Sequence, residues 1–497
     1  MGSLTNEQFL SRFFEIEQEF NLFSFRVKGR AIWDYLRYPI SYELLKRVVR
    51  SNEISFPSQK VSRLQREFLS FVPVVLRSIG QRWSTKEYQL LVINYDRKKR
   101  IESEGLAANI HFYPVIKEFA SRYRTLLLDP SIYEERIEKL YPCDVIRSRI
   151  FHHKAAVQSR LVFYNSKDRK TLNFILGVLE RQFQVTLNRD RVIRNCFSYQ
   201  VCLSREYSRI FERFRPRLIL HSDTGNCKGW IEAAHRAGIP VVDYQHSLMS
   251  RDNILYNYPA VDEVRGLSTL SDYIFTFGEF WHDQYQLPAE LIPVGFSFLE
   301  MEKKAVEHKG LPRKNRIIII SSMYSGKKLE RLALKLSELL PAYEIVYKLR
   351  PDEYGRWREV YSAELAGRSN IVVVDSDYPT LYEYFATSTH QVGINSTALI
   401  EGMVFGLTTF IFKDGWYREM QSLIEKEAVF LVDSAAQIVE KIRRSEDPPG
   451  EVDAPNLFKT SSLCNLREIL GQLLEQSENE KHPTNTHPKV LSRGLIG

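Results

Sequence analysis

The sequence predicts an α/β protein with two domains, each built on a doubly wound parallel sheet, and a helical extension at the N-terminus. Its 497 residues exceed what one hydrophobic core ordinarily organises. Short apolar runs rich in β-branched residues alternate with helical patterns, which is typical of βαβ units. A charged stretch after residue 295 interrupts this alternation and separates two halves.

The alternation is clearest in the C-terminal half of the chain. There the pattern predicts strands at 316–321, 345–348, 371–375, 391–394, 408–412 and 429–432. The middle of the chain repeats the pattern less regularly, with predicted strands at 89–95, 125–128, 218–221, 241–244 and 273–277. We expect the ligands of such sheets at the carboxyl ends of the strands.

These patterns predict five consecutive regions. They are a helical or extended N-terminal region, a first domain with a helical insert, a linker, a second domain and a loose polar tail. Their predicted bounds are 1–87, 88–295 with the insert at 167–215, 296–315, 316–474 and 475–497.

The composition indicates a soluble globular protein, and its mild basic excess fits an anionic ligand or an anionic membrane surface. Hydrophobic residues make up 44% and charged residues 26% of the chain, and Lys plus Arg exceed Asp plus Glu by 69 to 61. This basic excess is diffuse, and no zinc-finger, RNA-recognition or basic-zipper pattern occurs, which argues against nucleic acid as a partner. Five scattered cysteines without a CxxC pair indicate a reducing compartment and no metal site.

The sequence predicts a cytoplasmic protein with a possible peripheral contact to the inner membrane. It shows no apolar run of signal-peptide or membrane-spanning length. Residues 63–86 form an amphipathic pattern with five basic residues and one acidic residue. This segment could lie on a membrane surface. The alternative is a helix packed on the protein's own core, with Pro73 bending it or delaying its start.

The donor side of the predicted site consists of three loops at strand ends in the second domain. Exposed N–H groups at the start of a helix favour phosphate, and hydroxyl side chains add donors. Positive charge at a strand end would neutralise a diphosphate, and a carboxylate one helical turn further could contact a ribose. The candidate donor-binding residues are Ser322, Lys348, Arg350, Asn395, Ser396, Thr397 and Glu401.

Each donor loop also has a purely structural interpretation. Lys348 and Arg350 could pair with Asp352 or Glu353 on the surface. The Asn-Ser-Thr turn could be an ordinary helix cap, since Ser and Thr cap helices regardless of function.

The acceptor side is predicted in the first domain. His246 and Asp223 follow predicted strands, and either could remove the proton from an acceptor hydroxyl. The alternative for His246 is a hydrogen bond to a loop or a donor phosphate. Candidate acceptor-binding residues are Arg97, Lys98, Arg100 and Glu279, although the basic run could simply be solvated.

Several motifs resemble those of bacterial capsule and O-antigen glycosyltransferases. DYQHSLMSRDNILYNYP at 243–259 is similar to their "QHG … H/N … GY … P" segment. SDYIFTFGEFWHD, LIPVGFSFLE and the early FRVKGRAIWDYLRYPISYEL also resemble segments of these enzymes. KLRP and NSTALIEG are similar to motifs of GT-B transferases that use cytidine nucleotide donors.

The resemblance implies a GT-B glycosyltransferase, in which two Rossmann-like domains face each other across a cleft. It implies a nucleotide sugar as donor, a glycan or lipid-linked acceptor, and neither a required metal nor another cofactor. Ser247 replaces the usual Gly after the His, and Arg350 replaces the donor-binding His. The second departure leaves the donor nucleotide open.

Two other functions remain open from the sequence. Nucleotide-sugar 2-epimerases share the two-domain architecture and resemble this chain at R-P-x-E, but their Ser-Gly-Gly turn is absent. A non-catalytic partner in a polysaccharide assembly complex would bind no nucleotide or bind it without turnover.

Overall fold

A computed structural model of the chain confirms the predicted fold class, with two Rossmann-like domains and a helical N-terminal extension. The structure describes residues 4–49, 87–94, 99–101, 106–130, 140–222, 225, 227–322, 325–450 and 453–481. The segment 63–86, for which we predicted an amphipathic helix, lies outside these residues.

The N-terminal extension packs two helices on the first domain. It comprises α1 (Asn6–Glu19), β1 (Arg26–Val27), β2 (Arg30–Ala31) and α2 (Ile32–Val48). Arg37 of α2 is fully enclosed and donates to both carboxylate oxygens of Glu17 on α1, at 2.5 and 3.2 Å. The same guanidinium donates to the backbone oxygens of Ile254 and, at 2.7 Å, Asn257. The ion pair lies within the extension, and the two backbone contacts of Arg37 tie the extension to the segment that follows His246.

The first domain contains a seven-stranded parallel sheet within the described residues. Its strands and an adjoining antiparallel ribbon are β3 (Leu90–Ile93), β4 (Lys99–Ile101), β5 (Leu106–Ala108), β6 (Thr125–Asp129), β7 (Asp144–Arg147), β8 (Leu218–His221), β9 (Val241–Tyr244), β10 (Tyr273–Thr276) and β11 (Glu290–Pro293). The order β11-β10-β9-β8-β3-β6-β7 leaves a topological switch point between β3 and β8. The central strands are buried throughout, as parallel strands covered on both faces must be.

Helices of the first domain cover this sheet and form most of the predicted insert. They are α3 (Tyr113–Phe119), α4 (Arg149–Gln158), α5 (Ser166–Phe183), α6 (Arg189–Val192), α7 (Tyr199–Phe214), α8 (Lys228–Arg236) and α9 (Val261–Val264). Helices α7 and α8 lie so close that a Cβ on Gly229 would be 2.2 Å from the backbone oxygen of Gln200. A glycine is therefore required at this crossing.

The second domain contains a six-stranded parallel sheet, again counted within the described residues. Its elements are β12 (Arg316–Ile320), α11 (Gly326–Leu339), β13 (Glu344–Lys348), α12 (Ala363–Gly367), β14 (Ile371–Val374), α13 (Leu381–Thr387), β15 (His390–Gly393), α14 (Thr397–Val404), β16 (Thr408–Phe412), α15 (Gln421–Glu425), β17 (Phe430–Val432) and α16 (Ala435–Arg443). The order β14-β13-β12-β15-β16-β17 puts the switch point between β12 and β15.

The connections between the domains differ from the predicted ranges in two places. Helix α10 (Ser297–Glu307) occupies part of the range 296–315, which we predicted as linker. At the C-terminus, α17 (Ala454–Leu457) and α18 (Ser462–Lys481) return to the first domain, where Ser477 donates to the backbone oxygen of Arg217 at 3.1 Å. Helix α18 therefore also extends beyond residue 475, where we predicted the loose tail to begin.

The returning segment packs directly on backbone of the first domain. A Cβ on Gly278 would be 2.1 Å from the Asn456 oxygen, and one on Gly295 would be 2.1 Å from the Lys459 oxygen. The indole of Trp281 donates to the Leu457 oxygen at 2.8 Å. This packing depends on contacts between distant parts of the chain, which a local pattern does not reveal.

Among the described residues, no helix has the length and apolar character needed to cross a bilayer.

Candidate functional site

The carboxyl edges of the two sheets meet in a direct contact between loops. The backbone N–H of Leu248, which follows β9, donates to Oγ1 of Thr397 at the start of α14, at 3.0 Å. A second contact joins Ser422 to Gln284 at 2.7 Å, and Arg418 pairs with Glu7 of the extension at 2.7 Å. The loop after β9, which carries His246, and the start of α14, which carries the Asn-Ser-Thr turn, are therefore in direct contact across the domain interface.

The Asn-Ser-Thr turn lies at the switch point of the second sheet, between β15 and α14. Ser396 is the N-cap residue, and its hydroxyl accepts from the N–H of Ala398 at 3.3 Å. Ser396 is therefore a helix cap in this structure. A hydroxyl that accepts one bond keeps a proton to donate, so capping does not exclude a contact with phosphate.

Asn395 is held by a carboxylate that the sequence analysis missed. Its amide donates to Oε2 of Glu419 at 2.9 Å. Burial raises the pKa of Glu419 to about 7, the bond from Asn395 lowers it, and the Asp252 carboxylate of the first domain raises it. Around neutral pH this carboxyl is therefore protonated in a large fraction of molecules. Glu419 lies in a segment that reads only as an amphipathic helix, so no local pattern identified it.

Lys348 and Arg350 have different environments. Lys348 is buried, and its ammonium donates to the Tyr354 hydroxyl and, at 3.1 Å, to the backbone oxygen of Ser376. Arg350 is half exposed and pairs with Asp352 at 3.0 Å. The surface pairing that we considered for both residues is thus present for Arg350. The Lys348 ammonium donates to the Tyr354 hydroxyl and to backbone oxygens inside the domain.

Ser322 and Glu401 are both buried. Ser322 follows β12 on the other side of the switch point from the Asn-Ser-Thr turn. Glu401 lies against Tyr382, whose pKa is raised by burial and by the Glu401 carboxylate. Glu401 is thus enclosed by the second domain, and its contact with a ribose stays a prediction.

His246 follows β9 at the carboxyl edge of the first sheet and is half buried. Its ring lies edge-on to the ring of His111, with 6.4 Å between centroids. His111 is buried and stacks on Phe296 at 5.1 Å and on Phe277 at 6.3 Å. The structure therefore adds a second histidine, which the sequence analysis did not consider.

A buried polar chain fixes the backbone that carries His111. Asn94, at the end of β3, donates to Asp129 at 2.6 Å, and Asn109 donates to Asn94 at 2.8 Å. Asn109 in turn accepts from the backbone N–H of His111 at 2.9 Å. Buried polar groups require such partners, so the chain gives the loop before α3 one defined conformation.

Of the remaining site residues that the sequence predicts, the structure describes some and not others. Asp223, Arg97 and Lys98 lie outside the described residues. Arg100 lies in β4 of the small antiparallel ribbon. Glu279 is exposed and begins a short 3-10 helix after β10. Within the described ranges, no group of three or more His, Cys, Asp or Glu side chains could hold a metal ion.

No protein-family model and no curated protein matches the chain. Similar solved structures include a UDP-GlcNAc 2-epimerase from Neisseria meningitidis bound to UDP-GlcNAc, at 16% identity, 78% coverage of this chain, 100% of that chain and a TM-score of 0.45. A putative UDP-N-acetylglucosamine 2-epimerase from Listeria monocytogenes has 13% identity, 81% and 99% coverage and a TM-score of 0.47.

The glycosyltransferase SnogD from Streptomyces nogalater is also similar, at 12% identity, 79% coverage of this chain, 95% of that chain and a TM-score of 0.39. Identity and structural overlap are too low in all three cases to assign an activity.

Proposed function

We propose that this chain binds a nucleotide sugar in the interdomain cleft and transfers the sugar to a glycan or a lipid-linked acceptor. The observation that carries the proposal is the Leu248–Thr397 hydrogen bond, which joins loops at the carboxyl edges of two doubly wound sheets. Open α/β sheets bind their ligands at this edge. The biological setting that we propose is the cytoplasmic synthesis of a bacterial surface polysaccharide such as capsule or O-antigen.

The start of α14 is the proposed phosphate site. Backbone N–H groups at Ser396 and Thr397 would face the diphosphate, with the Ser396 hydroxyl as a further donor. A protonated Glu419 holds Asn395 without adding negative charge beside the phosphates. Arg350 is the proposed mobile cation, because its half-exposed guanidinium can exchange Asp352 for phosphate.

Buried groups of the second domain would act indirectly. Lys348 would hold the Tyr354 turn and contribute its charge through the protein, and Ser322 would shape the neighbouring loop. No metal is required by this proposal, because helix N–H groups and basic side chains neutralise the leaving group.

Proton transfer is assigned to the first domain. His246 is the proposed base on the acceptor hydroxyl, and His111 supports its ring from the side. Asp223 remains the alternative base. Arg97, Lys98, Arg100 and Glu279 remain proposed acceptor contacts.

The second candidate is 2-epimerisation of a nucleotide sugar. The observation in its favour is the turn Arg350–Glu353, which matches the R-P-x-E motif and is tightly fixed. Glu353 is buried and accepts from the Arg350 N–H at 2.7 Å and the Ser321 hydroxyl at 3.0 Å. In this structure the R-P-x-E motif stabilises its own turn, and this role is compatible with both sugar transfer and 2-epimerisation.

One pair of assays separates these functions. Thermal-shift measurements with CMP, CDP, UDP and GDP identify the nucleotide, because binding to the folded state raises the melting temperature. The matching nucleotide sugar is then incubated without any acceptor and followed by NMR, starting with UDP-GlcNAc, the ligand named for the Neisseria structure. A 2-epimer formed without acceptor supports the epimerase. Consumption only with an acceptor glycan supports transfer, and absence of any nucleotide binding contradicts both.

A further inference from the structure

The end of α4 and the turn that follows expose three large apolar side chains. We call Val157, Leu161 and Phe163 the apolar patch; their exposed fractions are 57%, 68% and 79%. Val157 and Leu161 are four residues apart across the end of a helix and share one face. Clustered exposed apolar side chains on soluble proteins commonly mark interaction sites.

Basic residues flank the apolar patch in the sequence. The range 149–179 contains six Lys or Arg residues, namely Arg149, Lys154, Arg160, Lys167, Arg169 and Lys170, against the single acidic residue Asp168. Asp168 is buried in the first turn of α5, and its carboxylate accepts from the N–H of Lys28 at 3.4 Å. Arg160, Lys167, Arg169 and Lys170 are exposed. The exposed charged side chains within the range 149–179 are therefore all positive.

A basic groove begins one helical turn before the apolar patch. Lys154 lies on one wall and Arg209 and Arg213 lie on the other, in a groove of about 490 Å³. Glu206 at its base pairs with Lys154 and Arg209, both at 2.9 Å, and Glu212 also lines it. Three cations against two carboxylates leave the groove with a positive balance, which suits a phosphate group.

We propose that the apolar patch and its basic rim dock the protein on an anionic lipid bilayer. Leu161 and Phe163 would enter the interfacial region, and the surrounding Lys and Arg side chains would contact headgroup phosphates. An aromatic side chain at the most exposed position, within a net positive rim, matches the two components of interfacial binding. An acidic protein surface would match the charge alone and leave Leu161 and Phe163 without a reason for their exposure.

The residues of this surface belong to α4, the turn that follows it, α5 and α7, and none of them belongs to the segment 63–86. The proposal does not depend on the proposed function, because none of its residues belongs to the nucleotide or acceptor site. It places the first domain, which holds the proposed acceptor site, against the membrane.

Vesicle co-sedimentation of the full chain tests the proposal. Vesicles of phosphatidylcholine alone are compared with vesicles that also contain phosphatidylglycerol, at low and high salt. The wild type is expected to bind the anionic vesicles and to lose binding as salt rises. The double variant Leu161→Ser, Phe163→Ser is expected to bind at least about tenfold more weakly than the wild type, because both apolar anchors are lost.

Matched controls separate docking from folding and from other surfaces. Leu311→Ser removes another exposed apolar side chain and should bind like the wild type. Lys167→Glu, Lys170→Glu should remove the preference for anionic vesicles. Melting temperatures of all variants verify folding, since these side chains are exposed. The proposal would be overturned if the wild type and the Leu161→Ser, Phe163→Ser variant bound vesicles equally well. It would also be overturned if only the variant Phe68→Ser, Phe71→Ser lost binding. A self-association that Phe163→Ser abolishes, without vesicle binding, would overturn it as well.

Discussion

The hydrogen bond from the Leu248 N–H to Thr397 Oγ1, at 3.0 Å, joins the two domains at the carboxyl edges of their sheets. One partner follows β9 of the first domain, and the other begins α14 of the second. A ligand bound at the start of α14 would therefore lie beside the loop that carries His246. The bond couples the proposed donor site to the position of the proposed base.

Thr397→Val tests this coupling. The valine keeps the shape of the side chain but leaves the Leu248 N–H without its acceptor. We expect nucleotide affinity to fall by about tenfold, since a lost hydrogen bond of this kind costs roughly 1–1.5 kcal/mol. Thr397→Ser retains the oxygen and should bind nearly as well as the wild type. Calorimetric titration measures both, and equal affinities for all three proteins would rule out the coupling.

His246→Asn tests the assignment of the base. If His246 removes the acceptor proton, turnover should fall by roughly 10²–10⁴-fold while nucleotide affinity stays unchanged. His308→Asn is the control, because His308 is the exposed residue that caps the end of α10, where its ring hydrogen-bonds to the backbone oxygen of Lys304. A variant that loses nucleotide affinity instead of turnover would indicate that His246 contacts the donor phosphate.

Glu419 predicts a pH dependence of stability with an unusual sign. Its folded pKa of about 7 lies above the ordinary value of 4.5, so the folded state binds more protons than the unfolded state between these values. The free energy of unfolding should therefore fall as pH rises from about 4.5 to 7 through this group. The groups that face it are Asn395 and Asp252, and Asp252 in turn interacts with Arg418 and Glu7.

The variant Glu419→Gln should remove this contribution. Each pKa unit corresponds to about 1.4 kcal/mol, so the wild type should lose at most about 3 kcal/mol relative to the variant between pH 4.5 and 7. Urea denaturation at a series of pH values gives the difference. Parallel curves for the two proteins would mean that Glu419 titrates normally. Nucleotide affinity that falls above pH 7 in the wild type alone would support its role beside the phosphates.

The buried Arg37–Glu17 pair predicts a large cost for removing one partner. Glu17→Ala leaves an enclosed guanidinium without its carboxylate, which ordinarily costs about 3–5 kcal/mol. Glu15→Ala on the same helix removes an exposed pair with Arg12 and should cost less than about 1 kcal/mol. Denaturant unfolding monitored by Trp fluorescence measures both. Similar losses for the two variants would contradict this account of the extension.

The sequence predicted the parts of this structure that depend on local periodicity. The strands at 316–321 and 408–412 and the helix opened by Ser396 follow from runs of apolar residues and from a capping residue, which act within a few positions. The sequence also predicted that the Asn-Ser-Thr turn follows a strand. That the strand borders a switch point became clear only from the strand order of the sheet.

Other features depended on contacts between distant residues. Glu419 and Asn395 lie on opposite sides of β16 in the sequence and meet in the folded domain. The polar chain that begins at Asn94 fixes the backbone of His111, whose ring lies beside that of His246. Lys348 appeared available for a ligand because the sequence could not show that Tyr354 would fold back onto it. In each case the deciding interaction lies outside the window in which a sequence pattern acts.

The most direct test of the nucleotide-sugar site compares two helix caps. Ser396 caps α14 in the proposed site, where its hydroxyl accepts from a backbone N–H of the first helical turn. Asn165 caps α5 in the helical region of the first domain in the same way, because its side-chain oxygen accepts from the N–H of Asp168 at 2.8 Å. Each alanine variant should lose about 1 kcal/mol of stability. We predict by calorimetric titration that Ser396→Ala weakens nucleotide binding by about tenfold while Asn165→Ala leaves it unchanged. Equal nucleotide affinity in both variants and the wild type would contradict the site.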